Sequence, residues 1–179
     1  MRYILPNFLS LRQYSLSINN TSVDNRPARC PHCGVSGLWC HGPYERKSDR
    51  ENRLGDSLNP ILIQRYYCPT CEKTCSALPE CIPPLRWYLW EVQQNILLLA
   101  ILGHSAYAIA QETAPSYKTI KRWLSRFYEQ FLLHKDTLAN YFNELGRTSG
   151  ITEFWGACFE KFSLASAMRL CHVSGVSIP

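Results

Sequence analysis

Apolar residues change their spacing twice along the chain, and the changes divide it. Met1 to Ile18 scatters apolar residues among Pro6, Asn7, Arg12 and Gln13, and the polar run Asn19 to Arg26 reads as a linker. From Cys30 to Pro84 the apolar runs are short and β-type. Leu38-Trp39-Cys40 and Ile61 to Tyr67 flank a polar loop from Glu45 to Asn59, a pattern that predicts hairpins. Pro83-Pro84 stops that block, and from Arg86 onward a helical period takes over. Helices are expected over Arg86 to Leu102, ended by Gly103, then Ala106 to Thr113 and Ser116 to His134. Two more are expected over Thr137 to Leu145 and Phe154 to Leu170. Trp87, Tyr88, Trp90, Ile96 and Leu97 read as core support for the helical part. The expected divisions are 1–27, an N-terminal segment and linker; 28–84; 85–134; and a helical tail, 135–179.

Within the helical part, Ala106 to Ser125 has the spacing of a helix-turn-helix. Ala110 is small where two helices would cross, Ile120 is placed to pack against Ile109, and Ser116 stands as N-cap of the second helix. On that helix Ile120, Leu124, Phe127 and Phe131 make an apolar stripe, with Lys118, Lys121, Arg122 and Ser125 opposite. Tyr117, Lys118, Lys121, Arg122 and Arg126 are the expected contacts to DNA, through phosphates or base edges. The bland alternative is a solvated surface. Ala114 stands where Gly is common and Pro115 restricts it to extended backbone, so a reshaped turn is expected.

The cysteines supply the candidate chemistry. Cys30-Pro31-His32-Cys33 and Cys68-Pro69-Thr70-Cys71 are two C-x2-C pairs separated by 34 residues. Each pair can aim two thiolates at one point, and two pairs provide the four soft ligands of a closed tetrahedral zinc site. Such a site leaves no position for a reacting water, so one structural zinc on Cys30, Cys33, Cys68 and Cys71 is expected, in a zinc ribbon with a long hairpin. Gly34 suits a turn residue with positive φ. Buried free thiols or a redox dithiol is the competing reading. Cys40, His41, Cys75 and Cys81 lack pair spacing, and Cys158 and Cys171 read as core fillers. The expected fold class is therefore α+β, a small zinc-ribbon β-hairpin domain followed by an α-helical bundle containing the helix-turn-helix.

Composition adds little beyond this. With 46% apolar and 12% aromatic residues the 179-residue chain is expected to fold, and a formal charge of +5 permits anionic partners. The most apolar run, Ile96 to Leu102, is far short of a membrane span, and no signal peptide is expected. The expected location is cytoplasmic, with the nucleoid.

In order of parts the chain resembles the N-terminal region of bacterial insertion-sequence transposases. The matching residues are Cys30 to Gly34, His41 to Arg46, Arg65 to Thr74, Ser76 to Pro79, and Ile109-Ala110 through Ser116 to Trp123. Cys75 stands where such families often carry an aromatic residue. The resemblance implies that ribbon and helix-turn-helix recognise terminal inverted-repeat DNA ahead of a two-metal acidic catalytic domain. The 45 residues after His134 hold only Asp136, Glu144, Glu153 and Glu160 as acids, too few and too close to the end for such a core. The expectation is a DNA-binding protein without its own catalytic centre. Its expected partners are double-stranded DNA and, on the protein side, a second copy or a transposase. A protein-interaction module or a transcriptional regulator is the alternative.

Overall fold

The computed structural model describes residues 2–6, 8, 10–19, 25–48, 58–84 and 88–176, which form a mixed α and β chain. Contacts divide it into two compact units, Met1–Leu89 and Trp90–Pro179.

The first unit holds β1 (Arg2–Leu5), α1 (Leu11–Asn19), β2 (Trp39–Arg46), β3 (Ile61–Cys68) and β4 (Lys73–Pro79). These strands make one sheet in the order β1-β4-β3-β2. β3 carries β-branched and aromatic residues throughout and pairs antiparallel with both neighbours. Its partners are Tyr67 with Trp39 on one side, and Tyr66 with Cys75 and Cys68 with Lys73 on the other. Between Cys40 and Pro43 the register slips by one residue, a bulge in which Gly42 takes φ 72°. At the far end of this hairpin the Ser48 N–H donates to Asn59 Oδ1 (3.0 Å), and the Ser48 hydroxyl donates to the Leu58 carbonyl (2.6 Å). Residues 49–57, the middle of the expected polar loop, lie outside the described residues.

The N-terminal segment, expected to stand ahead of this block, is instead part of it. β1 pairs in parallel with β4, Ile4 opposite Leu78, and the Glu80 N–H donates to the Leu5 carbonyl. α1 packs on β3 and buries Leu11 and Tyr14, three residues apart on one helix face. With Leu38, Ile61, Ile63, Tyr66, Ala77, Leu78 and Ile82 they form the core of this unit. Residues 20–24 of the expected linker lie outside the described residues.

The second unit is helical: α2 (Trp90–Ile101), α3 (Ala106–Glu112), α4 (Tyr117–Glu129), α5 (Phe131–Ala139), α6 (Ile151–Lys161) and α7 (Leu164–Val173), with a 3₁₀ turn at Asn143–Arg147. α2 ends at Gly103, φ 92°, where the His104 N–H reaches back to the Leu99 carbonyl, a Schellman closure. Arg86 and Trp87, given to the start of this helix, lie outside the described residues, and the helix begins at Trp90. α2 packs on α3, α4, α6 and α7, so the helices of the expected tail share a core with those before them.

Three expected helices are shorter or broken. The one expected over Ser116 to His134 bends at Gln130 (φ −98°, ψ 8°), splitting into α4 and α5 although the chain has neither Gly nor Pro there. The bend lets Phe131 leave the stripe of α4 and meet Phe154 edge-on at 5.5 Å. The helix expected over Thr137 to Leu145 is the end of α5 followed by the 3₁₀ turn. That expected over Phe154 to Leu170 is interrupted at Phe162 and Ser163, where the Ser163 hydroxyl accepts from the Ser166 N–H and starts α7.

Candidate metal centre and basic helix face

Two turns of the same build bring the four paired cysteines together. In the first, the Gly34 N–H donates to the Cys30 carbonyl at 2.8 Å; in the second, the Glu72 N–H donates to the Cys68 carbonyl at 2.9 Å. Both donors sit in the left-handed region, Gly34 at φ 78° and Glu72 at φ 57°. The second turn joins β3 to β4, so the antiparallel pairing of those strands holds Cys68 and Cys71 in place. Next to the first turn, the Cys30 N–H donates to the Val35 carbonyl, and His32 Nε2 lies 3.3 Å from the Thr74 carbonyl oxygen of β4.

The Cys30, Cys33, Cys68 and Cys71 sulfurs all lie within 4.8 Å of one another. Cys30 Sγ is 3.7 Å from Cys71 Sγ, and Cys33 Sγ is 3.6 Å from Cys68 Sγ. A tetrahedron of sulfurs around zinc at about 2.3 Å has edges of about 3.8 Å. The group can therefore hold one metal ion with little movement, and its donor set fits zinc. It is the one group of three or more ligating side chains found close enough for this among the described residues.

Backbone amides tune the sulfurs. The Cys71 N–H, aided by that of Thr70, pulls Cys68 down to about 6 against the burial that opposes it. Burial and the neighbouring thiols push Cys71 up to about 12. At Cys33 the Val35 N–H works downward, yet burial and the adjoining sulfurs leave the thiol raised. The His32 N–H lies 3.4 Å from Cys30 Sγ. Amide donors are thus in place to spread the charge of a filled site. Sequence reasoning missed Glu72. Aligning the two C-x2-C motifs would have found it, since Glu72 occupies the position of Gly34.

The remaining cysteines stay out of this group. Cys40 is exposed and accepts from Gln64 Nε2, Cys81 is half-buried, and Cys75 is buried with its thiol raised chiefly by burial. Burial also pushes Cys158 and Cys171, both within the helical core, up to about 12.

The left-handed pair makes a stability prediction. No atom crowds a Cβ at Gly34, so Gly34→Ala meets only backbone strain and should cost about 1–2 kcal/mol. Glu72→Gly should be neutral or stabilising by a few tenths of a kcal/mol, as relief of strain offsets greater freedom in the unfolded chain. Denaturant midpoints with metal retained check both; an unaffected Gly34→Ala would show that the turn has no such requirement.

In the second unit, α3 packs on α4 with Ile109 and Ile120 fully buried. Pro115 is buried in the turn, and Ala114 avoids positive φ, as the residue before a proline must. Ser116 occupies the N-cap position, but its hydroxyl lies against that of Thr119 at 3.1 Å instead of accepting from a backbone N–H. Ser105, capping α3, does accept, from Ala108. α4 buries Ile120, Trp123, Leu124 and Phe127 and exposes Tyr117, Lys118, Lys121, Arg122 and Ser125, which line one shallow open depression. The Ser125 hydroxyl donates to Glu129. Arg126 departs from the expected set. At about 100° per residue it lies about 110° from the centre of the exposed face, and it is half-buried with Nη1 shielded from solvent.

Fold and site together define a mixed α and β protein with a four-cysteine candidate metal centre in its first unit and an amphipathic helix pair in its second. The chain belongs to the family described as a domain of unknown function (DUF6431), whose model matches residues 30–123. That span opens on the first clustered cysteine and closes on Trp123 within α4. No curated protein and no solved structure matches the chain.

Among the described residues no helix is long and apolar enough to cross a membrane. Two of the four acids after His134 are engaged locally. Glu144 pairs with Lys161 at 2.9 Å, and Glu153 accepts from the Ser149 N–H and hydroxyl.

Proposed function

We propose that the chain is a zinc-containing protein that binds double-stranded DNA, resembling in its order of parts the DNA-recognition region of insertion-sequence transposases. In this reading the first unit is a zinc ribbon and α3 and α4 form a helix-turn-helix. The observation that carries it is the segregation of α4, whose exposed face gathers Tyr117, Lys118, Lys121 and Arg122 in its first turns, while the one acid of the helix, Glu129, lies at its last residue bonded to the Ser125 hydroxyl. A helix with such a face has the width and charge to enter a major groove. Zinc on Cys30, Cys33, Cys68 and Cys71 holds structure, since four protein sulfurs leave no position for a substrate. We assign the chain no catalytic step; a second copy or a transposase is the proposed protein partner.

The test is duplex binding by fluorescence anisotropy over a range of salt. Each phosphate contact contributes about 0.9 to the slope of log affinity against log salt. Lys118→Ala, Lys121→Ala and Arg122→Ala together should lower the slope by about three units if all three touch phosphates. If Arg122 reads a base edge, the fall is about two units, and Arg122→Ala alone relaxes sequence preference. Arg147→Ala, an exposed cation outside this face, is the control. Equal loss in the control, with every variant folded, would overturn the assignment of the face.

A second reading, as a protein-interaction module or a transcriptional regulator, draws on Leu132 and Leu133 of α5, which are 69% and 50% exposed. It expects partner binding that changes little with salt.

A further inference from the structure

The sheet of the first unit carries a second surface that the basic helix does not use. Trp39 and Tyr67 are register partners on β2 and β3, their rings 6.3 Å apart at 50°. His41 lies 6.1 Å from the Tyr67 ring at 40°. Trp39 is 62% exposed and His41 is exposed, although a tryptophan side chain loses more than any other by facing water. Two residues along β3 from Tyr67, the Arg65 guanidinium stands 5.7 Å from the centre of the Tyr44 ring. Tyr44, paired with Ile63, packs against the core of the unit, so the open aromatic surface is made by Trp39 and His41 over the half-buried Tyr67.

What could cover this surface is restricted by its edge and its charge. Among the described residues β2 is an edge strand of the sheet, but the bulge at Gly42 and the following Pro43 break the row of donors and acceptors that an added peptide strand would need. Across residues 25–48 and 58–84 there are six Lys and Arg against three Glu, one of which, Glu80, is buried. Exposed rings on a cationic unit match unpaired bases: the rings accept base faces without regard to sequence, and the cations meet the phosphates.

We propose that the Trp39, His41 and Tyr67 face binds single-stranded DNA by stacking its unpaired bases. The proposal goes beyond duplex binding by α4 and stands on different residues, in the other unit.

The experiment uses the full chain with its metal and a fluorescein-labelled oligothymidine, chosen because it forms no duplex, alongside a duplex of mixed sequence. Trp39→Ala is expected to weaken oligothymidine binding about tenfold or more and to leave duplex binding within twofold. Trp39→Phe should restore most of the affinity, because a ring remains. The triple change Lys118→Ala, Lys121→Ala, Arg122→Ala should do the reverse, weakening the duplex more than the oligothymidine. Because Trp39 is largely exposed, its removal leaves the core intact, and metal content and circular dichroism should be unchanged. The proposal is overturned if the native chain fails to bind oligothymidine at low salt, or if Trp39→Ala binds it as the native chain does. It is likewise overturned if that variant weakens duplex and single strand equally. Loss of duplex binding in the α4 variants alone bears on the other reading.

Discussion

Purified without added metal, the chain is expected to carry one equivalent of zinc, and Cys68→Ser with Cys71→Ser to carry none. The four sulfurs already stand at separations close to a tetrahedral edge, so binding needs little rearrangement. Structural zinc sites of this kind bind with an apparent free energy on the order of 10 kcal/mol at neutral pH, comparable to the whole stability of a domain. In the first unit the metal would join the turn after Cys30 to the β3–β4 turn, which lie 35 or more residues apart in sequence. Chelation is therefore expected to melt the first unit while the helical signal of the second persists. Hydrogen exchange followed by mass spectrometry reads the two units separately. Zinc retained by the double variant would remove these cysteines as ligands, and unchanged protection of β3 and β4 after chelation would show that the core of this unit stands without metal.

The second large effect lies in the helical unit. Trp155 is fully buried on α6, and four rings close around it: Phe127 of α4 at 5.7 Å, His134 of α5 at 6.0 Å, Phe154 at 5.1 Å and Phe159 at 5.7 Å. Trp155→Ala removes from α6 a side chain that meets rings of both α4 and α5 and should cost about 3–5 kcal/mol. That is a large part of the stability of a unit of this size. Denaturant unfolding followed by helical dichroism should show the midpoint falling, with zinc content unchanged. A shift below about 1 kcal/mol would mean that neighbouring rings fill the space. Loss of zinc in the same variant would mean that the two units do not unfold separately.

Several of these features are legible in the amino-acid sequence itself. The clustering of four cysteines is legible because a C-x2-C turn constrains its own ends, and two such turns in one small block have few ways to avoid each other. The exposed side of α4 is legible because 3.6-residue periodicity separates its charges from Ile120, Trp123, Leu124 and Phe127. Arg126, in the expected contact set, stands at the side of that helix and is half-buried, which its place in the sequence does not announce. β1 is hidden for a different reason. A four-residue strand has no period to detect, and its pairing with β4 spans more than seventy residues of sequence. The bend at Gln130 is hidden because its cause is remote: Phe131 turns toward Phe154, and nothing within α4 announces it. Trp39 is legible as a strand residue, but its exposure depends on which face of the hairpin the rest of the unit covers.

The clasp of Ser48 on Leu58 and Asn59 has a practical consequence for how the chain can be altered. It closes the hairpin at the end opposite the sulfurs, with most of the length of β2 and β3 between, about 20 Å at 3.3 Å per residue. Sequence added or removed between the clasp residues changes loop-closure entropy only slowly with length and leaves the strand register to the paired residues. A foreign peptide inserted between Ser48 and Leu58 is therefore expected to leave the four sulfurs in place, which metal content would check. The clasp also explains how two cysteine pairs can stand 34 residues apart in sequence and still share one point in space.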